Sequence, residues 1–471
     1  MQHVSTRGEA PPLGFAEVML AGLARDGGLY VPERWPHIEP QTIAGFAGRP
    51  YAEVAVEVMR GFVADSVSDA DLARMVREAY GTFRHPAVAP LTQLGVNTFA
   101  LELFHGPTLA FKDLAMQLLA RLMEHALAAR GERRTIVVAT SGDTGGAAVE
   151  AFRGRNQVDL VVLFPNGRIS EVQRRMMTTA NAANINAIAI DGTFDNCQAI
   201  VKGMFNHHAF ADRVRLSGVN SINWARIVAQ TVYYFTAAVA LGAPSRRIAF
   251  AVPTGKFGAI YAGYVALRMG LPIDRLVIAT NVNDILARTL ATGACELRAV
   301  VPTTSPSMDI QVSSNFERLL FDGYERNAGA VRALMGSLTQ SRRFALSGQA
   351  LARIRAAFTA GRADEDEVAA TIRTVKRETG NFVDPHTAVG IAVAEKEPRD
   401  PTVPMVVLAT AHAAKFPDAV AAACGVRPQL PEWLADLDQR PERVTVLPVD
   451  QSAVERFVLR TSRAAQEGAA A

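Results

Sequence analysis

Six short apolar runs, rich in β-branched residues, punctuate the chain from residue 135 onward, and their form fixes the fold class. They read TIVVAT (135–140), VDLVVLF (158–164), NAIAI (186–190), RIAFAV (247–252), RLVIAT (275–280) and MVVLAT (405–410). Strands with one wet face alternate apolar and polar residues, whereas continuous apolar runs bounded by turns suit strands buried on both faces of a mainly parallel sheet. The segments between them are long enough for crossover helices, so the chain is α/β, with open sheets and helices on both faces. One helix is explicit. Leu114, Ala115, Leu118, Leu119, Leu122, Ala126 and Leu127 recur at helical spacing and stop at Gly131.

At 471 residues the chain exceeds one ordinary core, and roughly three domain-sized units are expected. The first ninety or so residues mix short helical patterns with turns such as Asp26-Gly27-Gly28. Residues 320–400 read as a helical, charged outer layer, and the tail EGAAA (467–471) is expected to fray. A net charge of +3 is too small to argue for nucleic acid or an anionic membrane, so any anion binding must be local. No run approaches the roughly eighteen apolar residues of a membrane span, and MQHVSTRGEAPPLGF lacks a secretory pattern. Cys197, Cys295 and Cys424 form no CxxC pair and no metal-ligand spacing, so no metal site is expected and a reducing cytoplasm is the simplest compartment.

Three of the strand ends lead into polar or Gly-rich loops that open helices: SGDTGG (141–146), PTGKFG (253–258) and AHAAKF (411–416). Ligands of open α/β sheets sit at the carboxyl ends of strands. Such turns aim backbone N–H groups and a helix dipole at an anion, and three in one chain favour a bound anionic cofactor. That cofactor is not held by a nucleotide P-loop. Phe250 stands where that motif needs its first Gly, and Phe257 where it needs Ser or Thr after the Lys. SGDTGG fails the GxGxxG pattern at Thr144.

FHGPTLAFKDLAMQ (104–117) is the most informative stretch. Lys112 stands where the turn-rich His105-Gly106-Pro107-Thr108 runs into the amphipathic helix, approached by apolar Leu109, Ala110 and Phe111. Desolvation disfavours an ammonium and lowers its pKa, which suits an amine that must attack an aldehyde. A surface lysine at a helix start is the competing reading of this context, although a cation there opposes the helix dipole.

The segments STRG (5–8), GLARDGGLYVP (22–32), HGPTLAFKD (105–113), TSGDTG (140–145), NSINWARI (220–227), VPTGKFG (252–258), SPSMDIQVSSNFERLLF (305–321) and LATAHAAKFPDA (408–419) run colinearly along the chain. On these segments the chain resembles the long form of the threonine synthase family, within the fold-type II (tryptophan synthase β-like) pyridoxal-phosphate enzymes. The resemblance implies two αβ domains plus an N-terminal segment. The bounds expected are 1–90 for that segment, 91–133 with 245–471 for a large cofactor-binding domain, and 134–244 for a smaller one. It implies pyridoxal 5'-phosphate as cofactor and a β,γ-replacement that converts O-phospho-L-homoserine and water into L-threonine and phosphate. It further implies a cytoplasmic monomer or weak homodimer.

Residue roles follow from the same resemblance. Lys112 is the catalytic, cofactor-carrying lysine. Gly255, Lys256, Phe257 and Gly258 cradle the cofactor phosphate, and Thr410 places a hydroxyl near the pyridine nitrogen. Ser141, Gly142, Asp143 and Thr144 hold the substrate carboxylate. Asn220, Ser221 and Arg226, with Arg168 from NGRIS, receive the substrate phosphate, a task suited to planar guanidinium. Two positions depart from the family. Lys256 replaces the usual Asn of Gly-Asn-Phe-Gly, with Ala259 after the second Gly, and Ala413 stands where Pro is common. His207 and His208 are adjacent and cannot both face one metal. Asp26, Asp143, Asp309 and Asp384 read as turn caps. A threonine or serine dehydratase, and a non-catalytic paralogue that binds cofactor and ligand, are the alternatives.

Overall fold

The computed structural model describes residues 1–470, with side chains described through Glu467; the tail expected to fray continues the helix Arg463–Ala470, and only its last residue lies outside the described residues. All six apolar runs are strands, distributed over two sheets. The larger sheet has the order Phe358–Arg362, Ile273–Thr280, Ile248–Pro253, Met405–Ala409, Thr98–Glu102, Leu91–Gly95. Its neighbours are parallel except for the last pair, which is antiparallel. The smaller sheet, Thr445–Leu447, Ile185–Ile190, Val158–Pro165, Arg134–Ala139, Leu216–Ser217, is parallel throughout. Every residue of Ile248–Pro253, Met405–Ala409 and Val158–Pro165 is buried, the result of helices covering both faces.

The helix expected before Gly131 spans Lys112–Arg130 and ends with Gly131 in the left-handed conformation, at φ 62°. Its Leu114, Leu118, Leu119, Leu122 and Leu127 are buried, each contributing about 1.5–3 kcal/mol of transfer free energy. It packs against the helices Asp143–Phe152, Trp224–Ala240 and Asp69–Tyr80, in one continuous core that also takes in Tyr51–Val63. The N-terminal region is thereby fastened to the body of the protein rather than tethered beside it.

Two features depart from the sequence reading. Within the charged outer layer lies the strand Phe358–Arg362, an edge strand of the larger sheet. The chain's end does not stay with the larger sheet. Thr445–Leu447 pairs with Ile188–Ile190, and the helix Gln451–Thr461 buries Val454 and Val458 in the core of the smaller sheet. Asp26, Asp309 and Asp384 do sit in turns: Asp26 accepts from Gly28 N, Asp309 from Thr303 N, and Asp384 from His386 N and Thr387 N.

Candidate active site

The loop after Gly106 and the loop after Met405–Ala409 are joined backbone to backbone. Phe111 N donates to Thr410 O (2.9 Å) and His412 N to Leu109 O (3.0 Å). Leu109 takes the left-handed conformation (φ 59°) to make the turn. Thr108 then donates from its N and Oγ1 to Asp113, each at 2.7 Å, which fixes the start of the helix and points Lys112 away from it. Gly106 lies against Asp113 so closely that a Cβ there would stand 2.5 Å from the Asp113 Cβ. Lys112 opens into a cavity that it shares with Thr140, Ser141, Asp143, Thr144, Asn220, Ser221, Arg226, Gly255–Ala259, His386 and Thr410.

The first turns of six helices meet at this cavity: Lys112–Arg130, Asp143–Phe152, Phe194–Asn206, Trp224–Ala240, Gly258–Arg268 and Pro385–Lys396. Helix N-termini carry unsatisfied N–H groups and partial positive charge. The PTGKFG turn concentrates this. No backbone N–H from Gly255 through Ile260 finds an acceptor among the described residues, and Phe257 is held at φ 65° to turn the strand end into the helix. A run of free N–H groups beside a left-handed residue is an anion cradle. The SPSMDI–SNFER segment braces it from behind. Ser313 Oγ donates to Gly255 O (2.6 Å), and Asn315 Nδ2 donates to Lys256 O (2.9 Å) and Ser221 O (3.1 Å). Buried Arg318 in turn holds the Asn315 side chain. Gly255 is required here, since a Cβ would meet Ser307 O at 2.4 Å.

Cations dominate the cavity. Arg226 is 2% exposed; its Nη1 donates to Val219 O (3.0 Å) and its Nε finds no acceptor among the described residues. Burial pushes its pKa down to about 10, and no carboxylate offsets the effect. Lys256 turns inward over the Phe194 ring, 5.4 Å from its centroid. Burial, with Lys112 and Arg226 nearby, pushes its ammonium down to about 8. Burial lowers Lys112 as well; Lys415 and Arg226 add to that and Asp143 opposes it. Arg226 and Lys256 thus face the cavity with no carboxylate partner among the described residues.

The expected residues divide accordingly. Lys112, Ser141, Asp143, Thr144, Asn220, Ser221, Arg226, Gly255, Lys256, Phe257, Gly258 and Thr410 all line the one cavity. Arg168 does not. It is exposed in the turn after Val158–Pro165, a neighbouring strand end whose loop does not reach the cavity. Gly142 is buried behind the wall at φ 133°, where a Cβ would meet Gln173 at 2.3 Å, so it shapes the turn rather than touching a ligand. The Asp143 carboxylate is committed to cations, 3.2 Å from Lys112 Nζ and 2.7 Å from Lys415 Nζ. Burial alone would raise its pKa, but Lys415 and Lys112 hold it well below the usual carboxylate range. An anionic substrate group is repelled by that carboxylate. The free N–H groups of Ser141, Asp143 and Thr144 are the donors that the turn offers instead.

Two residues that sequence reasoning did not single out also belong here. His386 faces the cavity with Nδ1 on Asp384 (2.7 Å) and Nε2 accepting from Ser307 N (3.2 Å). Lys415, fully buried, sits behind Asp143. The signal for Lys415 was available: a lysine between Ala414 and Phe416 has the same apolar approach that marks Lys112.

The composition of the cavity fits a phosphate-bearing aldehyde. A buried amine of lowered pKa stands beside a cradle of unsatisfied N–H groups, with an orphaned guanidinium nitrogen in reserve. Among the described residues no cluster of His, Cys, Asp and Glu is arranged to hold a metal ion.

Comparison with known proteins finds matches along the whole chain. The family models described as Threonine synthase N terminus, Pyridoxal-phosphate dependent enzyme and Threonine synthase, C-terminal match residues 2–80, 82–411 and 387–458. A threonine synthase of Pseudomonas aeruginosa is 52% identical over 97% of this chain and 98% of its own. The crystal structure of PLP-bound threonine synthase from Brucella melitensis shares 61% identity and superposes with a TM-score of 0.96, covering 98% of this chain and 100% of that one. The structure of threonine synthase from yeast shares 36% identity with a TM-score of 0.92, covering 98% of each chain.

Proposed function

The chain belongs to the threonine synthase family, and from that premise we propose that it converts O-phospho-L-homoserine and water to L-threonine and phosphate. It does so with pyridoxal 5'-phosphate, as a carbon–oxygen lyase acting on a phosphate ester in the cytoplasm. The observation that carries the reading is the pairing, in one cavity, of the Lys112 amine with an unsatisfied N–H cradle and two cations that lack a carboxylate partner. One phosphate needs the cradle; a substrate phosphate needs the remaining charge.

In this reading Lys112 would carry the cofactor, residues 255–258 would hold its phosphate and Thr410 would offer its ring a neutral hydroxyl. A neutral hydroxyl does not force the ring nitrogen to be protonated, so the protein tunes the ring electronically. When bound, the cofactor supplies the electron sink that makes the substrate Cα proton removable. The N–H groups of Ser141, Asp143 and Thr144 orient the substrate carboxylate, while Arg226, Asn220 and Ser221 bind its phosphate. Lys112 Nζ, whose pKa burial lowers, takes the Cα proton, passes it to the substrate phosphate and, neutral again, takes one from Cβ. Phosphate leaves Cγ with the C–O bonding pair, balanced by Arg226. Lys112 returns the Cβ proton at Cγ, takes the proton released by the water that adds at Cβ, and delivers it to Cα.

Turnover in ¹⁸O-labelled water tests this chemistry. The label is expected in the β-hydroxyl of threonine and absent from the phosphate. Label in the phosphate, with homoserine as co-product, would mean P–O hydrolysis and overturn the proposal. A serine or threonine dehydratase would instead release a 2-oxo acid.

A further inference from the structure

Lys415 has no part in the chemistry above, yet it is among the least exposed lysines a chain can carry: it shows 0% exposure, 2.7 Å from the Asp143 carboxylate. A buried ammonium costs several kcal/mol unless it is paired and hydrogen-bonded. Here it is both, since its Nζ also donates to Thr108 O at 2.7 Å.

The pairing is shared. Asp143 Oδ1 takes Lys415 Nζ and Gln173 Nε2 (2.9 Å), which leaves Oδ2 to face Lys112 Nζ at 3.2 Å. Thr108, the other partner of Lys415, is the residue whose N and Oγ1 fix Asp113, next to Lys112. One buried ammonium therefore fastens together the three loops that converge on Lys112. It also determines how much of the Asp143 charge Lys112 feels. We propose that Lys415 is a positioning residue for Lys112, acting through the Asp143 carboxylate that the two ammoniums share. The proposal rests on reading Lys112 as the cofactor-carrying amine.

The sign of the effect follows from the charges. An amine facing Asp143 alone would be held protonated and unreactive toward an aldehyde, because an adjacent anion favours the charged form. Lys415 neutralises that anion from behind and adds a second positive charge. The other groups facing Lys112 act in the same sense: Arg226, from the Trp224–Ala240 helix, and Lys256, from the PTGKFG turn, are both cations. His386, from the Pro385–Lys396 helix, lines the cavity with its Nδ1 tied to Asp384. Asp113, next to Lys112 in sequence, is engaged by Thr108.

The test is the titration of Lys112 itself, read by competitive acetylation of the full-length, cofactor-free chain across pH. Mass spectrometry of the Lys112 peptide gives the midpoint. Lys415→Met should raise that midpoint by about one pH unit or more, since Asp143 then faces Lys112 alone. The isosteric Asp143→Asn should lower it. Asp143→Asn/Lys415→Met should lie above Asp143→Asn, the difference being the direct effect of the Lys415 charge. Removing both members of the Asp143–Lys415 pair leaves neither of the two buried without the other, so the double variant is the safest to fold. If Lys415→Met alone is insoluble, the comparison of Asp143→Asn with the double variant decides. A merely structural lysine would leave every folded variant's midpoint unmoved, or move them all in one direction, and either result overturns the proposal. Borohydride fixation of the cofactor on another lysine would overturn the reading of Lys112 without touching this titration.

Discussion

Replacing Arg226 with Leu separates binding from folding more cleanly than any other single change in the cavity. Arg226 is a buried guanidinium whose recorded hydrogen bond is to Val219 O, whose Nε has no acceptor and whose burial is offset by no carboxylate. In the free protein its charge is a cost. Leu should therefore leave stability within about 1 kcal/mol of wild type, the lost Val219 contact being offset by relief of a desolvated cation. In the complex the balance reverses. A charge-assisted bond to phosphate contributes about 1.5–3 kcal/mol, and a bidentate fork more, so about 2–4 kcal/mol of transition-state binding should disappear. That corresponds to a loss of roughly thirty- to several-hundredfold in kcat/KM for O-phospho-L-homoserine. The assay pairs steady-state kinetics with thermal melts of the cofactor-loaded protein, with and without inorganic phosphate. Wild type should gain Tm from phosphate, and Arg226→Leu should gain none. Activity within about threefold of wild type, a difference under roughly 1 kcal/mol, would refute the assignment. So would an unfolded variant, which would mean that Arg226 is part of the core rather than a site.

Four further outcomes follow from the geometry. Borohydride reduction should fix the cofactor on the peptide containing Lys112, and Lys112→Ala should lose the visible absorbance band; label on another lysine contradicts this. Lys256→Asn should weaken cofactor retention in equilibrium dialysis by about 1 kcal/mol, more at low salt than at high; equal retention at both ionic strengths would reject a role for the Lys256 charge. Since the Lys256 ammonium is pushed down to about 8, the ligand-free protein loses that charge as pH rises through that value. Inorganic phosphate, measured by calorimetry, should accordingly bind more weakly above pH 8 than below it, and Lys256→Asn should flatten this dependence. Gly255→Ala places a Cβ 2.4 Å from the Ser307 carbonyl, a backbone atom that cannot rotate away, so the cradle must shift; dialysis should show a clear loss of cofactor with little change in secondary structure.

The parts of the fold that could be read in advance share one physical property: their signal is local. A strand buried on both faces must be apolar throughout, so Ile248–Pro253 and Val158–Pro165 announce themselves. Short edge strands carry no such signal. Thr445–Leu447 is three residues with one exposed, and its pairing with Ile188–Ile190 is a long-range event that the sequence does not encode locally. The site divides in the same way. Lys112 stands out through its apolar approach, and the PTGKFG turn through its strand-to-helix setting. Asp143 looked like a turn residue because its partner, Lys415, lies far along the chain. Arg168 was expected at the substrate phosphate through the family resemblance, but the loop that carries it opens to solvent and not to the cavity. Position at a strand end is not sufficient for a place in the cavity, and His386, which follows a helix, shows that it is not necessary either.

The most direct test of the central claim is product analysis with the cofactor-loaded chain and O-phospho-L-homoserine as the only substrate. Phosphate release and threonine formation, followed in the same reaction, should rise together in a one-to-one ratio and vanish in Lys112→Ala. Phosphate accompanied by a 2-oxo acid or by homoserine, or no turnover by a folded protein that retains its cofactor, would contradict the account.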